Sequence, residues 1–421
     1  MWGVLIEKVS GCLKHFISRL IYVKIAPLFF YLLKLKMHSW LLPDYIADIL
    51  PSAAVRIEKV KAKMLSLFHS YGYQLVIPPL MEYTQSLLTN IDQDLSLKTI
   101  RIADRFSGRQ LGLRADITPQ ISRIDAHLLS ANEGINRLCY AGSVLHAFPD
   151  TLYSTREPLQ IGAEMYGFDG ICADSEIISL MLKSLAILGV ENPLLSLAHI
   201  RIFNILSALA HLHSDDKNAL RQMISSKEQE AVCQFCIQKR LPENLTAAFA
   251  ALPVLYGEVP TVLQQAAKVL PQQKDIQAAL NDLDTVYQQF AGKYRIHLDL
   301  SELRADNYHS GLLFAAYRDD ESEAIARGGR YDGLGRYFGR ERPAVGFSLD
   351  LKNFLELLPQ HIEKSGICVK AEDLPQIAEM VNQLREQGEM VIIDYLNEGA
   401  AKLNCNRTIV LKDNQWQVIE I

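Results

Sequence analysis

The stretch Leu159–Tyr166 constrains the fold of this chain most strongly, because its side chains alternate with a period of two. It reads Leu-Gln-Ile-Gly-Ala-Glu-Met-Tyr, so polar or small residues interleave with apolar ones. This pattern is typical of a strand that packs one face in the core and is paired with antiparallel neighbours. Strand-like stretches separated by turn residues precede it at Thr99–Ala103, Gln110–Arg114 and Asn136–Ser143. The chain is therefore predicted to be an α+β protein with an antiparallel sheet flanked by helices.

The second half of the chain first loses and then regains the strand pattern. Residues 197–290 are rich in Ala, Leu and Gln and carry no strand signal, so they are predicted to form an all-helical insert. Strands resume at Tyr294–Leu300 and Gly311–Tyr317. The glycine-rich segment Arg327–Gly333 that follows is predicted to be a loop.

These patterns define the predicted domains. The core is assigned to residues 37–196 and 291–360, on either side of the helical insert. Residues 361–421 read as a small C-terminal α/β domain that ends in a hairpin with its turn at Asp413 and Asn414.

Residues 1–36 differ from the rest of the chain. They hold six Lys/Arg and one acidic residue. Their apolar run is shorter than the roughly 20 residues of a membrane-spanning helix, and Lys24 and Pro27 interrupt it. No small-residue cleavage pattern follows, which argues against a signal peptide. We favour an N-terminal extension outside the fold, with the working chain starting at Met37; a helix on the membrane surface is the alternative.

Charge and cysteine usage bear on the class of protein. The chain has 43 Lys+Arg and 48 Asp+Glu, and no basic stretch that would mark an RNA-binding protein stands out. Seven scattered cysteines argue against a disulfide framework and indicate a cytoplasmic protein. Cys233 and Cys236 have CxxC spacing, but without a second pair they do not predict a zinc site. No metal or cofactor is expected.

Several polar residues occupy strand-like positions where apolar side chains are usual: Glu82, Thr84, Arg114, Gln160, Glu164 and Arg304. A pocket for a free amino acid needs acceptors for the ammonium group and a guanidinium for the carboxylate. For an imidazole side chain it also needs a carboxylate that accepts the N–H. The set supplies each of these groups. The same residues also fit a solvated strand face with cross-strand ion pairs, and the pattern alone leaves both interpretations open.

Five segments, in this order along the chain, resemble the catalytic core of histidyl-tRNA synthetases. YGYQLVIPPLMEYTQSL resembles the first class II motif, and LGLRADITPQISRI the segment before the second motif. LCYAGSVLHAFP with TREPLQIGAEMYG resembles the second motif, and LRADNYHSGLLFAAY the family's histidine-binding segment. ARGGRYDGL with RPAVGFSLDL resembles the stretch into the third motif. The resemblance covers residues 42–358 apart from the insert, and implies a class II aminoacyl-tRNA synthetase-like fold.

By position, the resemblance implies a retained histidine site. Glu82, Thr84 and Gln160 match the family's contacts to the α-amino group. Glu164 matches the family's contact to the imidazole ring. Together these four side chains supply hydrogen-bond acceptors for the α-amino group and for the imidazole N–H of histidine.

Four further positions complete this part of the resemblance. Arg304 matches the arginine near the ligand carboxylate, and Arg114 an arginine on the phosphate side of the pocket. Tyr308 keeps one tyrosine of the histidine-binding segment, but the family's second tyrosine is replaced by His309. The imidazole side of the pocket therefore departs from the family at one position.

The positions that bind ATP in the family are substituted. The second-motif arginine that holds the α-phosphate falls at His146, and the acidic residue that helps to read adenine falls at Phe148. The aromatic residue that stacks on adenine falls at Pro158, and the third-motif arginine at Asn353. Arginine forks are strong phosphate contacts, which an amide or a neutral imidazole cannot replace. The chain is therefore expected to bind histidine without activating it.

The pattern resembles the regulatory subunit of hetero-oligomeric ATP phosphoribosyltransferase, a family that also has a short C-terminal part. This resemblance implies a non-catalytic chain that activates a short catalytic subunit and senses histidine for feedback inhibition. It also implies a homodimer through the class II core within a hetero-octamer, with no tRNA and no membrane as partner. The alternative is an active histidyl-tRNA synthetase or an amino-acid-activating paralogue.

Overall fold

The structure is a computed structural model that describes residues 41–88, 93–151, 154–303, 309–319, 321–359 and 365–421. Arg304, Tyr308 and the N-terminal extension lie outside the described residues. The chain divides into two compact units. The larger contains residues up to 50 with 57–357, and the smaller contains residues 51–56 with 358–421.

The larger unit contains two sheets. Its strands, in chain order, are β1 (Gln74–Leu75), β2 (Met81–Tyr83), β3 (Arg101–Ala103), β4 (Gln110–Leu113), β5 (Asn136–Ser143), β6 (Leu159–Tyr166), β7 (Leu194–His199), β8 (Tyr256–Glu258), β9 (Arg295–Asp299), β10 (Leu312–Tyr317), β11 (Ala326–Arg330) and β12 (Ala344–Asp350). Nine of them form one sheet in the order β1-β5-β6-β12-β11-β10-β7-β9-β8, and β2, β4 and β3 form a small separate sheet. Between β5 and β7 in this order each pair of adjacent strands is antiparallel, as predicted, whereas β1 is parallel to β5 and β9 is parallel to β7.

Strand β6 forms where it was predicted, but residues 161–166 are all buried, so both of its faces and not only one are covered. It covers the predicted residues and pairs with β5 on one side and β12 on the other. In this register Glu164 lies opposite Gly346 in β12 and Leu138 in β5. A carboxylate is thus held in the middle of a central strand.

Helices surround this sheet in the larger unit. In chain order the helical elements are α1 (Pro51–Ser70), α2 (Thr84–Leu87), α3 (Gln93–Lys98), α4 (Thr118–Arg123), a π-helical turn (Ile124–Leu128), α5 (Ile171–Ile187), α6 (Ile200–Leu209), α7 (Ser214–Ser225), α8 (Gln229–Gln238), α9 (Glu243–Ala251), α10 (Val259–Val269) and α11 (Lys274–Phe290). Helix α1 buries Ile57, Val60, Met64 and Phe68, which recur at helical spacing. The Phe68 ring packs edge-on against Phe347 of β12, with centroids 5.9 Å apart.

The predicted all-helical insert is wrong at two places. Residues 197–199 belong to β7, which pairs with β10 and β9, and residues 256–258 form β8 at the edge of the same sheet. Strand β8 has only three residues, and β7 is followed directly by a helix. The helical pattern of the surrounding sequence therefore concealed both strands. The segment lies in the same compact unit as the core. The domain boundaries themselves remain a prediction.

The glycine-rich segment is also different from its prediction, because residues 326–330 form a strand and not a loop. Strand β11 pairs with β10 and β12 along its length. A Cβ at Gly328 would lie 2.4 Å from the Phe314 ring and 2.4 Å from the carbonyl oxygen of Gly346. The glycine is therefore needed for close packing inside the sheet and does not mark a turn.

The smaller unit has its own sheet and core. It comprises β13 (Gly366–Lys370), α12 (Leu374–Glu386), β14 (Val391–Asp394), β15 (Cys405–Lys412) and β16 (Gln415–Glu420). The strand order is β14-β13-β15-β16, and Ile367, Val369, Ile377, Val381, Val391 and Ile409 form its buried cluster. The predicted hairpin is confirmed: Asp413 and Asn414 have φ of 52° and 62°, as a type I′ turn requires.

In the part of the chain that the structure describes, no helix has the length and apolar character to span a membrane.

Candidate functional site

One face of the large sheet carries a cavity of about 1100 Å³, slightly above the usual range for ligand pockets. Strands β6, β7, β10, β11 and β12 contribute to its wall. Among the sequence-predicted residues, its lining includes Gln160, Glu164, His309, His146, Pro158 and Asn353. The structure thus brings members of both predicted halves, the histidine side and the former ATP side, into one cavity.

Glu164 lies at the bottom of this cavity and is only 1% exposed. Its Oε1 accepts hydrogen bonds from the hydroxyls of Thr118 and Tyr140, each at 3.0 Å. Its Oε2 accepts one from the Tyr331 hydroxyl at 2.5 Å. Burial raises the pKa of Glu164 to about 8, although all three hydroxyl donors act in the opposite direction. A carboxyl in this state can exchange a proton or a hydrogen bond with an imidazole at neutral pH.

Gln160 lies on the same strand and is fixed at both ends of its amide. Its Oε1 accepts from the backbone N–H of Ile117 at 2.9 Å. Its Nε2 donates to Asp116 Oδ1 at 2.7 Å and to the Ser348 hydroxyl at 3.1 Å. Asp116 also lines the cavity, so Gln160 and Asp116 together offer acceptor atoms near Glu164.

The predicted amino-group contacts Glu82 and Thr84 lie outside the lining of the cavity. Glu82 Oε1 accepts from Gln120 Nε2 at 2.8 Å and from Arg123 Nη2 at 2.6 Å. The hydroxyl of Thr84 is buried and has no hydrogen-bond partner among the described residues. Leaving a buried hydroxyl unpaired costs free energy, which marks Thr84 as a position where a ligand donor or a water would be stabilising.

Arg114 is buried and directed away from the cavity lining. Its Nε donates to the carbonyl oxygen of Ser143 at 2.9 Å, and its Nη1 to that of Pro78 at 2.8 Å. Burial lowers the pKa of Arg114. Because backbone carbonyls hold the guanidinium, it acts here as a cross-link that positions the wall.

His309, which replaces a tyrosine of the family, does line the cavity. Its ring meets the Tyr331 ring edge-on, with centroids 6.4 Å apart. A Cβ at Gly329 would lie 2.7 Å from His309 Cδ2, so the imidazole rests directly on β11. His309 is thus placed beside the tyrosine that holds Glu164.

The substituted ATP positions divide into three that line the cavity and one that does not. His146, Pro158 and Asn353 line it, whereas Phe148 is outside the lining and 45% exposed. His146 Nε2 lies 3.0 Å from the carbonyl oxygen of Ala115, and since a carbonyl only accepts, this nitrogen carries the proton. Its Nδ1 lies 3.7 Å from Asp150 Oδ2, beyond hydrogen-bond distance. The imidazole is therefore engaged with the wall and gives no arginine-like fork.

The charge of the described lining also disfavours a triphosphate. Its acidic side chains outnumber its Lys and Arg side chains even when Glu164, whose pKa of about 8 favours the protonated form at neutral pH, is left out: Asp116, Asp150, Glu302, Glu321, Glu323 and Asp350 against Lys98 and Arg327. Lys98 is paired with Asp150 at 2.6 Å, and Arg327 with Glu323 at 3.2 Å. Like charges disfavour a polyanion, whereas an ammonium or imidazolium group is favoured.

Several site residues were missed by the sequence analysis: Asp116, Thr118, Gln120, Arg123, Tyr140 and Tyr331. Most of them sit in or beside the segment LGLRADITPQISRI, which was noted only for its arginine. Their role depends on tertiary contacts to strands more than 20 positions away.

Cys233 and Cys236 are free thiols on α8. Over the described ranges, no cluster of three or more His, Cys, Asp or Glu side chains is arranged to hold a metal ion.

Two family models match this chain. The one described as Histidyl-tRNA synthetase matches residues 45–354, and the one described as ATP phosphoribosyltransferase subunit HisZ C-terminal domain matches residues 364–419. Relatives named ATP phosphoribosyltransferase regulatory subunit are found in Neisseria gonorrhoeae (52% identity) and Chromobacterium violaceum (49% identity). Each match covers 91% of this chain, and 100% and 99% of the two relatives.

Solved structures confirm the fold. An ATP phosphoribosyltransferase regulatory subunit/histidyl-tRNA synthetase from Bacillus halodurans aligns with a TM-score of 0.74 at 22% identity, covering 86% of this chain and 95% of that one. A histidyl-tRNA synthetase from a Nostoc species aligns with a TM-score of 0.72 at 15% identity, covering 91% and 97%. The predicted class II synthetase-like α+β fold is thus correct.

Proposed function

This chain belongs to the family of ATP phosphoribosyltransferase regulatory subunits, and from that premise we propose that it senses histidine and controls a short catalytic subunit. The chain itself is non-catalytic. It activates the catalytic subunit when histidine is absent and transmits feedback inhibition when histidine is bound. Both steps belong to the first reaction of histidine biosynthesis, in the cytoplasm.

The observation that carries this proposal is the setting of Glu164. It is a buried carboxyl with a pKa of about 8, held by three hydroxyls at the bottom of a cavity. The three hydroxyl donors leave acceptor capacity on Oε2, since each carboxylate oxygen has two lone pairs. An imidazole N–H is the ligand group that this position fits. Gln160, Glu82 and Thr84 are the proposed contacts of the amino group, and Arg304, Tyr308 and His309 complete the proposed site beside the wall residue Arg114.

The former ATP side supports the absence of aminoacylation. Activation of an amino acid depends on positioned cations around the phosphates, and loss of a single preorganised donor typically lowers a rate by about 10²–10³. His146 is bonded to the wall, Asn353 carries no charge, and the nearby Lys98 is paired with Asp150. Among the residues that the structure describes, the cavity therefore lacks the cationic groups that an adenylate-forming reaction needs.

Exposed apolar side chains support the proposed homodimer through the first class II motif. Leu75, Ile77, Leu80 and Met81 lie on or beside β1 and β2, and Ile77 is 84% exposed. Apolar side chains clustered on a surface usually mark an interface. Two copies joined in this way would enter the hetero-octamer with the catalytic subunit.

An activity assay of the reconstituted complex tests the proposal. ATP phosphoribosyl transfer by the short catalytic subunit should rise on addition of this chain and fall on addition of histidine. Glu164→Gln should keep the activation but lose sensitivity to histidine. The matched control Glu323→Gln removes a carboxylate from the rim of the same cavity and should respond like the wild type. Unchanged histidine inhibition in Glu164→Gln would refute the sensor site.

The match of a Histidyl-tRNA synthetase model to residues 45–354 favours one alternative, an active synthetase or an amino-acid-activating paralogue. Histidine-dependent exchange of pyrophosphate into ATP discriminates between the two. We expect no exchange above a protein-free blank, and turnover above it would establish the alternative.

A further inference from the structure

Helix α4 (Thr118–Arg123) is bonded to both carboxylates of the proposed histidine site. At its first residue, the Thr118 hydroxyl donates to Glu164 Oε1 at 3.0 Å. Two residues on, Gln120 Nε2 donates to Glu82 Oε1 at 2.8 Å, and Arg123 Nη2 at the last residue lies 2.6 Å from the same oxygen. A ligand that engages either carboxylate therefore acts on the same short helix.

The third polar residue of the site meets the beginning of this helix. Gln160 Oε1 accepts from the backbone N–H of Ile117, the residue immediately before α4. Asp116 Oδ1 accepts both from Gln160 Nε2 and from the backbone N–H of Thr118, at 2.7 and 3.2 Å. Side chains from two strands, Glu82 of β2 with Gln160 and Glu164 of β6, thus converge on this six-residue helix and the two residues before it.

Helix α4 continues without a break into the π-helical turn Ile124–Leu128. Such turns are rare and occur often at functional sites. The buried carboxylate of Asp125 fixes this one, accepting from Asn136 Nδ2 at 2.6 Å and from Arg342 Nη1 at 3.1 Å. A coupling element needs a second discrete arrangement, and an α-helical register of the same five residues would supply it.

Beyond the π-helical turn the chain reaches the surface in residues 129–135, here named the exit turn. Leu128, the last residue of the π-helical turn, is 73% exposed. Arg340 holds the exit turn from another part of the chain: its Nη1 donates to the Leu129 carbonyl oxygen at 3.4 Å, and its Nη2 to that of Asn132 at 2.8 Å. One continuous segment therefore connects the buried carboxylates with an exposed surface.

Resting on the proposed histidine site, we infer that residues 116–135 transmit ligand occupancy from the cavity to the surface. Histidine engages Glu164, Glu82 and Gln160 and thereby fixes α4. The π-helical turn passes this change in restraint to the exit turn, most of whose residues are exposed at the surface. Residues 116–135 include none of the ligand contacts that the resemblance implies by position.

Hydrogen exchange of the full chain, measured by mass spectrometry with and without saturating L-histidine, tests this inference. In the wild type, histidine should slow exchange in β6, in α4 and in the exit turn by at least about fivefold, the lower end of typical allosteric coupling. Gln120→Met keeps the side-chain length but removes the hydrogen bonds that the amide donates to Glu82 and to the carbonyl oxygen of Pro79. It should keep the effect in β6 and lose it in the exit turn. The control Gln234→Met, on exposed α8, should behave as the wild type.

A second pair of variants acts at the far end of the segment. Arg340→Met should leave the histidine affinity within about twofold of the wild type but remove the histidine-dependent change in the exit turn. Arg336→Met, whose exposed side chain is paired only locally with Glu341, is its matched control. Calorimetry on the same samples separates the outcomes. Failure to bind histidine would refute the site and the inference together. Histidine binding that leaves the exit turn unchanged in the wild type, or a wild-type response in both Gln120→Met and Arg340→Met, would refute the inference alone.

Discussion

The carboxyl group of Glu164 lies directly over Gly346 in the neighbouring strand. A Cβ at position 346 would stand 1.4 Å from Glu164 Oε2 and 2.4 Å from its Cδ. The hydroxyl of Tyr331 approaches the same oxygen from above β11. A residue with any side chain at position 346 is therefore incompatible with the observed position of the carboxyl, and the glycine and the hydroxyls together define one place for it.

Gly346→Ala is expected to move the Glu164 carboxyl and weaken histidine binding by at least about 100-fold. Overpacking a core position by one methyl group also destabilises the fold by about 1–3 kcal/mol. Calorimetry reports the first effect and thermal unfolding the second. Gly333→Ala is the control, since no atom lies within 4 Å of a Cβ there. Normal histidine affinity in folded Gly346→Ala would contradict this geometry.

Tyr331→Phe removes one of the three hydroxyl donors from Glu164. Because that hydrogen bond lowers the pKa of Glu164, the pKa should rise further in the variant. Histidine affinity should fall about 2- to 10-fold, as expected for a net hydrogen-bond contribution of ~0.5–1.5 kcal/mol. Tyr337→Phe, at a half-exposed tyrosine nearby in sequence, should not change the affinity. Equal affinities in wild type and Tyr331→Phe would show that the hydroxyl does not position the carboxyl.

The raised pKa of Glu164 predicts how stability depends on pH in the ligand-free protein. The folded-state pKa of about 8 lies above the ordinary value of 4.5, so folding favours the protonated form. Its contribution is present in full below pH 4.5 and is lost as the pH rises through 8. Across this window the Tm of the wild type should fall relative to that of Glu164→Gln, which cannot titrate. Parallel Tm curves would mean that Glu164 ionises normally.

Restoring cations on the former ATP side should increase nucleotide binding. The double variant His146→Arg with Asn353→Arg supplies the two guanidinium groups that the family has at these positions, and arginine forks bind phosphates strongly. We expect ATP affinity to rise about 10-fold or more over the wild type, measured by calorimetry, without any pyrophosphate exchange, because Pro158 offers no aromatic ring. Placing the same residues at exposed positions, His127→Arg with Asn406→Arg, should leave ATP binding unchanged. No gain in the first variant would indicate that the shape of the cavity, and not its charge, excludes ATP.

The sequence predicted those parts of the fold that depend on local patterns. Strands β5 and β6 were predicted to the residue because alternation over eight positions is a strong signal. The Gly328-Gly329 pair was misread as a loop because glycine in a turn and glycine under the Phe314 ring have the same sequence signature. The last three residues of β7, which leads directly into α6, were likewise assigned to the predicted helical insert.

The resemblance to known motifs predicted cavity residues that have a matching position in those motifs. It missed residues whose role depends on tertiary contacts. Gln160, Glu164 and His309 do line one cavity. The roles of Thr118 and Gln120 depend on contacts with strands that are distant in the sequence. No spacing rule connects these two residues with Glu164 and Glu82.

Calorimetric titration of the full chain with L-histidine tests the central claim most directly, with Glu164→Gln and Glu323→Gln measured in parallel. We predict saturable binding to the wild type and to Glu323→Gln. Affinity should be about 10- to 100-fold weaker in Glu164→Gln, because the amide cannot ionise on binding the imidazole, and a hydrogen bond to a charged group contributes about 1.5–3 kcal/mol. Absence of binding to the wild type, both alone and in complex with the catalytic subunit, or equal affinity in Glu164→Gln, would contradict the assignment of this cavity as a histidine sensor.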